Sequence, residues 1–218
     1  MRVLVVAAHP DDEVLGCGGA MAKHVENGDV VNVLILGRGL GARGEASAQA
    51  LKKLEQQSRS ALAALGVDEI HFRDFPDNRF DSVALLDIVI EIENVKTLCN
   101  PERIYTHAAR DLNVDHRRTF DAVMAAFRPQ PDEGCATILT FEVMSATHWH
   151  AESFTPSVFI DISAVAEKKW AALECYKDEM RPSPHARSIE SIKAQSQFRG
   201  ALVGREAAEA FVPARIIE

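Results

Sequence analysis

The sequence is short of several things, and each shortage narrows the field. Its four cysteines, Cys17, Cys99, Cys135 and Cys175, lie far apart and form no C-x-x-C pair, so neither a thiolate zinc site nor a disulfide framework is expected. No block of Lys or Arg runs through the chain, and the formal net charge is −8; no nucleic-acid partner is expected. No apolar run approaches transmembrane length, and Met1-Arg2 leads into an apolar strand pattern without a signal-peptide core. The expectation is a cytoplasmic protein without a membrane span. Internal repeats and low-complexity stretches are missing too. No G-x-G-x-x-G is followed about 20 residues on by an acid. Gly16-Cys17-Gly18-Gly19 comes close but falls a turn too late after the strand, which counts against a dinucleotide site.

What is present is an ordinary globular composition, 47% hydrophobic and 26% charged over 218 residues, read as a single domain spanning 1–218. Apolar strand patterns at 2–8, 30–36, 70–72, 103–106, 136–143 and 158–162 are interleaved with helical patterns at 16–27, 45–65, 82–98 and 116–127. Further helices are expected at 164–179, 188–203 and 205–210. The alternation predicts an α/β fold: a Rossmann-like three-layer sandwich with a mostly parallel sheet and a C-terminal helical extension. Residues 37–44 hold four glycines and two arginines, the composition of a loop.

The chemistry concentrates at His9-Pro10-Asp11-Asp12-Glu13, directly after the first strand. Open α/β sheets bind ligands at the C-terminal ends of their strands. Packing offers no reason for three acids there, although an acid could cap the following helix. Metal chemistry needs an imidazole and a carboxylate to coordinate, and a spare carboxylate to handle a proton. A second polar cluster, Thr106 to His116, follows the fourth strand. If both loops open on the same edge, His9, Asp12 and His116 converge into a two-imidazole, one-carboxylate set suited to zinc. Asp11 then stands nearby as a general base. A catalytic zinc lowers the pKa of its water to about 7, so a carboxylate can take the proton.

The pattern Ala8-His9-Pro10-Asp11-Asp12-Glu13, paired with Asp115-His116 about a hundred residues later, resembles the LmbE/PIG-L family of zinc-dependent N-acetyl-sugar deacetylases. Phe75 to Asp81, Tyr105-Thr106-His107, Asp111-Leu112-Asn113 and Pro184 to Ser188 extend the likeness over nearly the whole chain. The resemblance implies metal ligands His9, Asp12 and His116, the base Asp11, and Asp115 as a carboxylate orienting a neighbouring side chain. Many members carry a histidine three residues before the last ligand; here it is Asn113, whose amide can donate a hydrogen bond but cannot act as an acid. The proton for the leaving amine then comes through Asp11, or from His185 or His107. Sugar recognition would fall to Arg59 and to Asp77, with Asn78 beside it; Arg38 and Arg43 also lie near the expected mouth. His185 resembles a site-lining histidine that some relatives receive from a neighbouring subunit.

The function implied is removal of acetyl from an N-acetylglucosamine-type sugar or glycoconjugate, releasing acetate. Two alternatives stay open: hydrolysis of another amide on a sugar conjugate, as in a mycothiol-like amidase, and a non-hydrolytic nucleotide-binding α/β domain. Apolar C-terminal stretches (Ala201-Leu202-Val203, Phe211-Val212, Ile216-Ile217) suit a homo-oligomer. For Trp149 the expectation is core or interface packing over sugar stacking.

Overall fold

The computed structural model describes residues 1–42, 44, 46–131 and 133–217. In chain order its elements are β1 (Arg2–Ala7), α1 (Asp12–Glu26), β2 (Val30–Gly37), α2 (Ala48–Leu65), β3 (Glu69–Phe75), a 3₁₀ turn (Phe80–Ser82), α3 (Leu85–Cys99), β4 (Arg103–His107) and α4 (Val114–Ala126). They continue with β5 (Thr137–Phe141), α5 (Met144–Thr147), β6 (Val158–Asp161), α6 (Ala166–Cys175), α7 (Ile189–Ala201) and β7 (Ala208–Ile216).

Among the described residues the strands form one seven-stranded sheet in the order β3-β2-β1-β4-β5-β7-β6. The first five pair in parallel, while β7 runs antiparallel to both β5 and β6. β1 is buried along nearly its whole length because both its faces are covered. On one face Val3, Val5, Val33 and Phe141 meet Ala20, Met21, Leu54 and Leu62 of α1 and α2, and Trp170 and Leu173 of α6. On the other, Leu4, Val6, Leu34 and Ile138 meet Ile88 and Ile92 of α3 and Ala122 and Val123 of α4. The α/β three-layer expectation is what the structure shows.

The C-terminal segment departs from expectation. Residues 205–210, read as helix, lead into β7, which threads between β5 and β6. Glu206-Ala207-Ala208-Glu209-Ala210 is rich in good helix formers, but the tertiary setting outweighs that weak local preference. Phe211 packs against Tyr105 with ring centroids 5.1 Å apart. Pro213, which has no N–H to give, lies beyond the part of β7 that β6 pairs with, next to a register shift against β5.

Glu209 explains a second departure. The first helix begins at Asp12, not at residue 16, and is interrupted at Cys17 (φ −147°, ψ 26°). The break frees backbone groups that a buried ion pair satisfies. Lys169 Nζ donates to Leu15 O (3.0 Å) and to Glu209 Oε1 (2.6 Å). Gly19 N and Ala20 N donate to the two Glu209 oxygens at 2.8 and 2.7 Å. The glycines here serve close approach: a Cβ on Gly16 would sit 2.2 Å from Phe141 Cδ2. Among the described residues no helix is long and apolar enough to cross a membrane.

Candidate active site and metal centre

Strand order reverses between β1 and β4, and at such a switch point the loops leaving the strands part to open a crevice. The parallel register Val6↔Thr106 places the two tips side by side. His9, Pro10 and Asp11 leave β1; residues 108–113 leave β4 and turn into α4. Asn113 caps α4, its Oδ1 accepting Asp115 N at 2.8 Å, which fixes Asp115 and His116 in the first helical turn.

His9, Asp12 and His116 are brought together, each offering one donor atom within 4.8 Å of the others. Asp12 Oδ2 stands 3.3 Å from His9 Nδ1 and 3.2 Å from His116 Nε2. The far nitrogen of each ring faces another carboxylate. His9 Nε2 lies 2.8 Å from Asp115 Oδ2 and 3.2 Å from Asp77 Oδ1. His116 Nδ1 lies 3.2 Å from Asp111 Oδ1, held by charge though off hydrogen-bond alignment. Carboxylates behind both imidazoles are the arrangement that orients metal-ligating histidines.

The electrostatics of the cluster call for positive charge. Burial works against a charged His9, yet Asp115 and Asp12 together raise its pKa to about 10. Burial likewise opposes a charged His116, and Asp12 and Asp111 raise it to about 9. Burial would raise Asp12, but His116, His9 and His107 hold it well below the usual carboxylate range. Asp12 Oδ2 lies between the two imidazoles, and its other oxygen, Oδ1, is buried without a partner. A divalent cation fits this donor set. A second grouping, His9, Asp77 and Asp115, fits less well. Asp115 Oδ2 and Oδ1 already accept Asn78 N and Phe80 N, at 2.6 and 2.9 Å.

Asp11 is almost fully buried and takes φ 97°, a strained value for a residue with a side chain. Its N–H donates to Glu13 Oε2 at 3.0 Å, and Glu13 Oε1 accepts the Tyr176 hydroxyl at 2.5 Å. Burial pushes Asp11 well above the ordinary carboxylate range; Arg187 pulls it down, while Asp12, Glu179 and Glu13 add to the rise. Burial also lifts Glu13, to about 7.

A cavity of about 340 Å³ opens over these groups, lined in part by His9, Asp11, Asp77, Asn78, Asn113, His116, Trp149, Glu179, Arg181, His185 and Arg187. With its Oδ1 committed to the α4 cap, Asn113 has its Nδ2 to offer. Asp77 Oδ2 accepts Gly41 N and Ala42 N at 2.8 and 2.9 Å, tying down the glycine loop. His185 Nδ1 accepts Arg187 N–H at 3.0 Å, so in the neutral ring Nε2 carries the proton.

Other expected residues lie elsewhere. His107 is fully buried behind the donors, stacked on His116 at 3.9 Å, with Nε2 accepting Ala8 N–H. Burial first, and then His116, hold it well below the ordinary histidine value. It does not line the cavity, and neither does Arg59. Arg59 is half exposed on α2, paired with Glu55 at 2.8 Å and laid over Phe72. Arg43 falls outside the described residues. Trp149, expected to be packed away, is exposed on the cavity rim, edge-on to His185 at 6.0 Å. The sequence reading passed over Arg187, which contacts Asp11, and left Asp111, which backs His116, as a loop acid. The only hint of Arg187 was its place in the Pro184 to Ser188 segment singled out for His185.

A family model described as PIG-L, GlcNAc-PI de-N-acetylase, matches residues 4–127, from β1 to the end of α4. The chain belongs to the PIG-L family. Among similar sequences, an uncharacterized deacetylase of Escherichia coli (strain K12) is 29% identical, over 80% of this chain and 90% of its own length. The diacetylchitobiose deacetylase of Thermococcus kodakarensis is 27% identical, over 97% of this chain and 83% of its own. The 4-oxalmesaconate hydratase of Pseudomonas putida is also 27% identical, over 79% of this chain and 71% of its own. Among solved structures, a conserved protein from Thermus thermophilus aligns over 100% of this chain and 97% of its own, with TM-score 0.80 and 25% identity. These relatives support an enzyme.

Proposed function

We propose that this PIG-L family member is a zinc-dependent N-deacetylase. In this reading the chain acts as one domain in the cytoplasm and removes acetyl from an N-acetylglucosamine-type sugar or glycoconjugate. The observation that carries it is the His9–Asp12–His116 donor set with Asp11 beside it on the cavity wall; named deacetylases among the relatives add support. A zinc ion held by these three residues would supply Lewis acidity for the acyl oxygen and acidify the attacking water. Asp11, its pKa raised by burial, takes the proton from the attacking water. Asn113 Nδ2 donates to the acyl oxygen as charge develops on it. Asp11 then returns that proton to the departing amine, whose nitrogen accepts a hydrogen bond from His185 Nε2–H; His107 is walled off behind His116. Asp77 and Asn78 bound the sugar side of the cavity.

The test is acetate release from a panel of N-acetylhexosamine compounds, with and without chelator. Acetate that appears with the metal and stops without it supports the reading; none from any member overturns it. The Pseudomonas putida hydratase, as similar in sequence as the Thermococcus deacetylase, favours a second reading in which the same base and cation direct water to a carbon–carbon double bond. Arg181 and His185 on the wall would suit an acidic substrate of that kind. Metal-dependent loss of absorbance from unsaturated dicarboxylic acids, without acetate release from the sugars, would favour it.

A further inference from the structure

We propose that Arg187 is the positioning residue for Asp11, and that the 181–188 segment sets the spacing between the Asp11 carboxylate, the proton acceptor, and the His185 ring, the hydrogen-bond donor of this site. The inference rests on the deacetylase reading for the roles of Asp11 and His185, and on geometry for the rest. Arg187 Nη2 donates to Asp11 Oδ1 at 3.1 Å and lies equally close to Oδ2, which is buried with no hydrogen-bond partner of its own. The rest of the guanidinium is held as well: Nε donates to Ser145 Oγ at 3.2 Å, and Nη1 faces Glu179 Oε2 at 3.7 Å. A guanidinium restrained on three sides cannot follow a swinging carboxylate; it fixes one. Asp11 needs such a restraint. Its backbone is fixed by the Glu13 contact at a strained φ of 97°, but among the described residues only Arg187 is hydrogen-bonded to its carboxylate.

The backbone of Arg187 orients the other partner. Its N–H donates to His185 Nδ1 at 3.0 Å, and its carbonyl accepts Arg181 N–H at 3.2 Å, closing the segment on itself. The side chain of one residue therefore aims Asp11 while its main chain aims His185. Ser145, at the start of α5, ties this unit to the loop after β5. Displacing any of these contacts changes the separation of acceptor and donor without touching the metal donors.

The experiment compares Arg187→Met, Arg187→Lys and the milder Ser145→Ala with the parent, each also combined with Asp11→Asn, all checked for folding and metal content. Arg187→Met is expected to lower kcat about 10²-fold, the cost of misplacing a reacting group by about 1 Å, with KM little changed. Arg187→Lys should recover part of the loss. In the Asp11→Asn background the same change should cost nothing further, because the group it positions is already inert. An equal fall in both backgrounds, or a loss confined to KM, overturns the proposal. If Arg187→Met does not fold, Ser145→Ala and Arg187→Lys carry the same comparison. Crystal structures of the parent and variants give a readout without turnover. An Asp11 carboxylate that rotates away supports the proposal even if no sugar is hydrolysed. One that stays in place overturns it whatever the substrate proves to be.

Discussion

Asp115 grips His9: its Oδ2 lies 2.8 Å from the Nε2 of the ring. This contact leaves Nδ1 as the nitrogen that faces Asp12 and His116. Asp115→Asn keeps the shape of the side chain and removes its charge. Carboxylates behind metal-bound histidines are worth about 10–100-fold in affinity. The variant is expected to bind zinc weaker by that factor, read by competition with a chromophoric chelator. Unchanged affinity would deny Asp115 this role.

If the proposed reading holds, Asp11→Asn is expected to keep the bound metal, because the three donors are untouched, and to lose about 10²–10⁴-fold in kcat, the usual contribution of a positioned base. Metal analysis and steady-state rates on the same preparation check both halves. Wild-type turnover by the zinc-loaded variant would remove Asp11 from the mechanism.

Glu142 and Arg199 form a buried pair, with hydrogen bonds of 2.8 and 2.7 Å, and His148 joins them on the carboxylate. Burial would raise Glu142, but His148 and Arg199 outweigh it and hold it below its ordinary value. The folded-state pKa is therefore depressed. The pair's contribution is present above the unfolded value of about 4.3 and is lost as pH falls through the folded value. Glu142→Gln strands the Arg199 charge and should cost about 3 kcal/mol at neutral pH. It should also flatten the acid side of the stability profile, and urea unfolding at a series of pH values measures both.

Gly16→Ala would bring a Cβ to 2.2 Å from the Phe141 ring. Overpacking of this kind costs about 1–3 kcal/mol. Because α1 starts at Asp12, the shift should also reduce zinc occupancy. Thermal melts and metal content of the variant test it; a melt and occupancy equal to wild type would mean that Phe141 yields freely.

The frame of the fold was legible because hydrophobic periodicity is a local signal. Val3 to Ala8 reads as a doubly covered strand, and Leu54, Ser58, Ala61, Leu62 and Leu65 mark the buried face of α2. His9, Asp12 and His116 were legible for a different reason: the motif after β1 and the Asp115-His116 pair resemble a known family, and the structure puts the tips of β1 and β4 side by side, as their convergence required. β7 was not legible, since its alanines and glutamates favour a helix until β5 and β6 claim them. Nor was Arg187, which meets Asp11 across 176 positions of sequence. No spacing rule reaches that far; only the path of the 181–188 segment brings the two together.

The Lys169–Glu209 bracket bears on how the protein comes into being. Glu209 is synthesised 190 positions after Gly19, yet it satisfies the broken first helix, whose leading residue is Asp12. Until residues 208–216 have left the ribosome, β5 and β6 have nothing between them, and Lys169 has no acid to meet. At about 5–20 residues per second, a nascent chain spends several seconds with that gap open before the centre can set. The His9–Asp12–His116 donors are thereby not set until the β7 strand has emerged, and products truncated ahead of it should be unstable and, on the proposed reading, metal-poor.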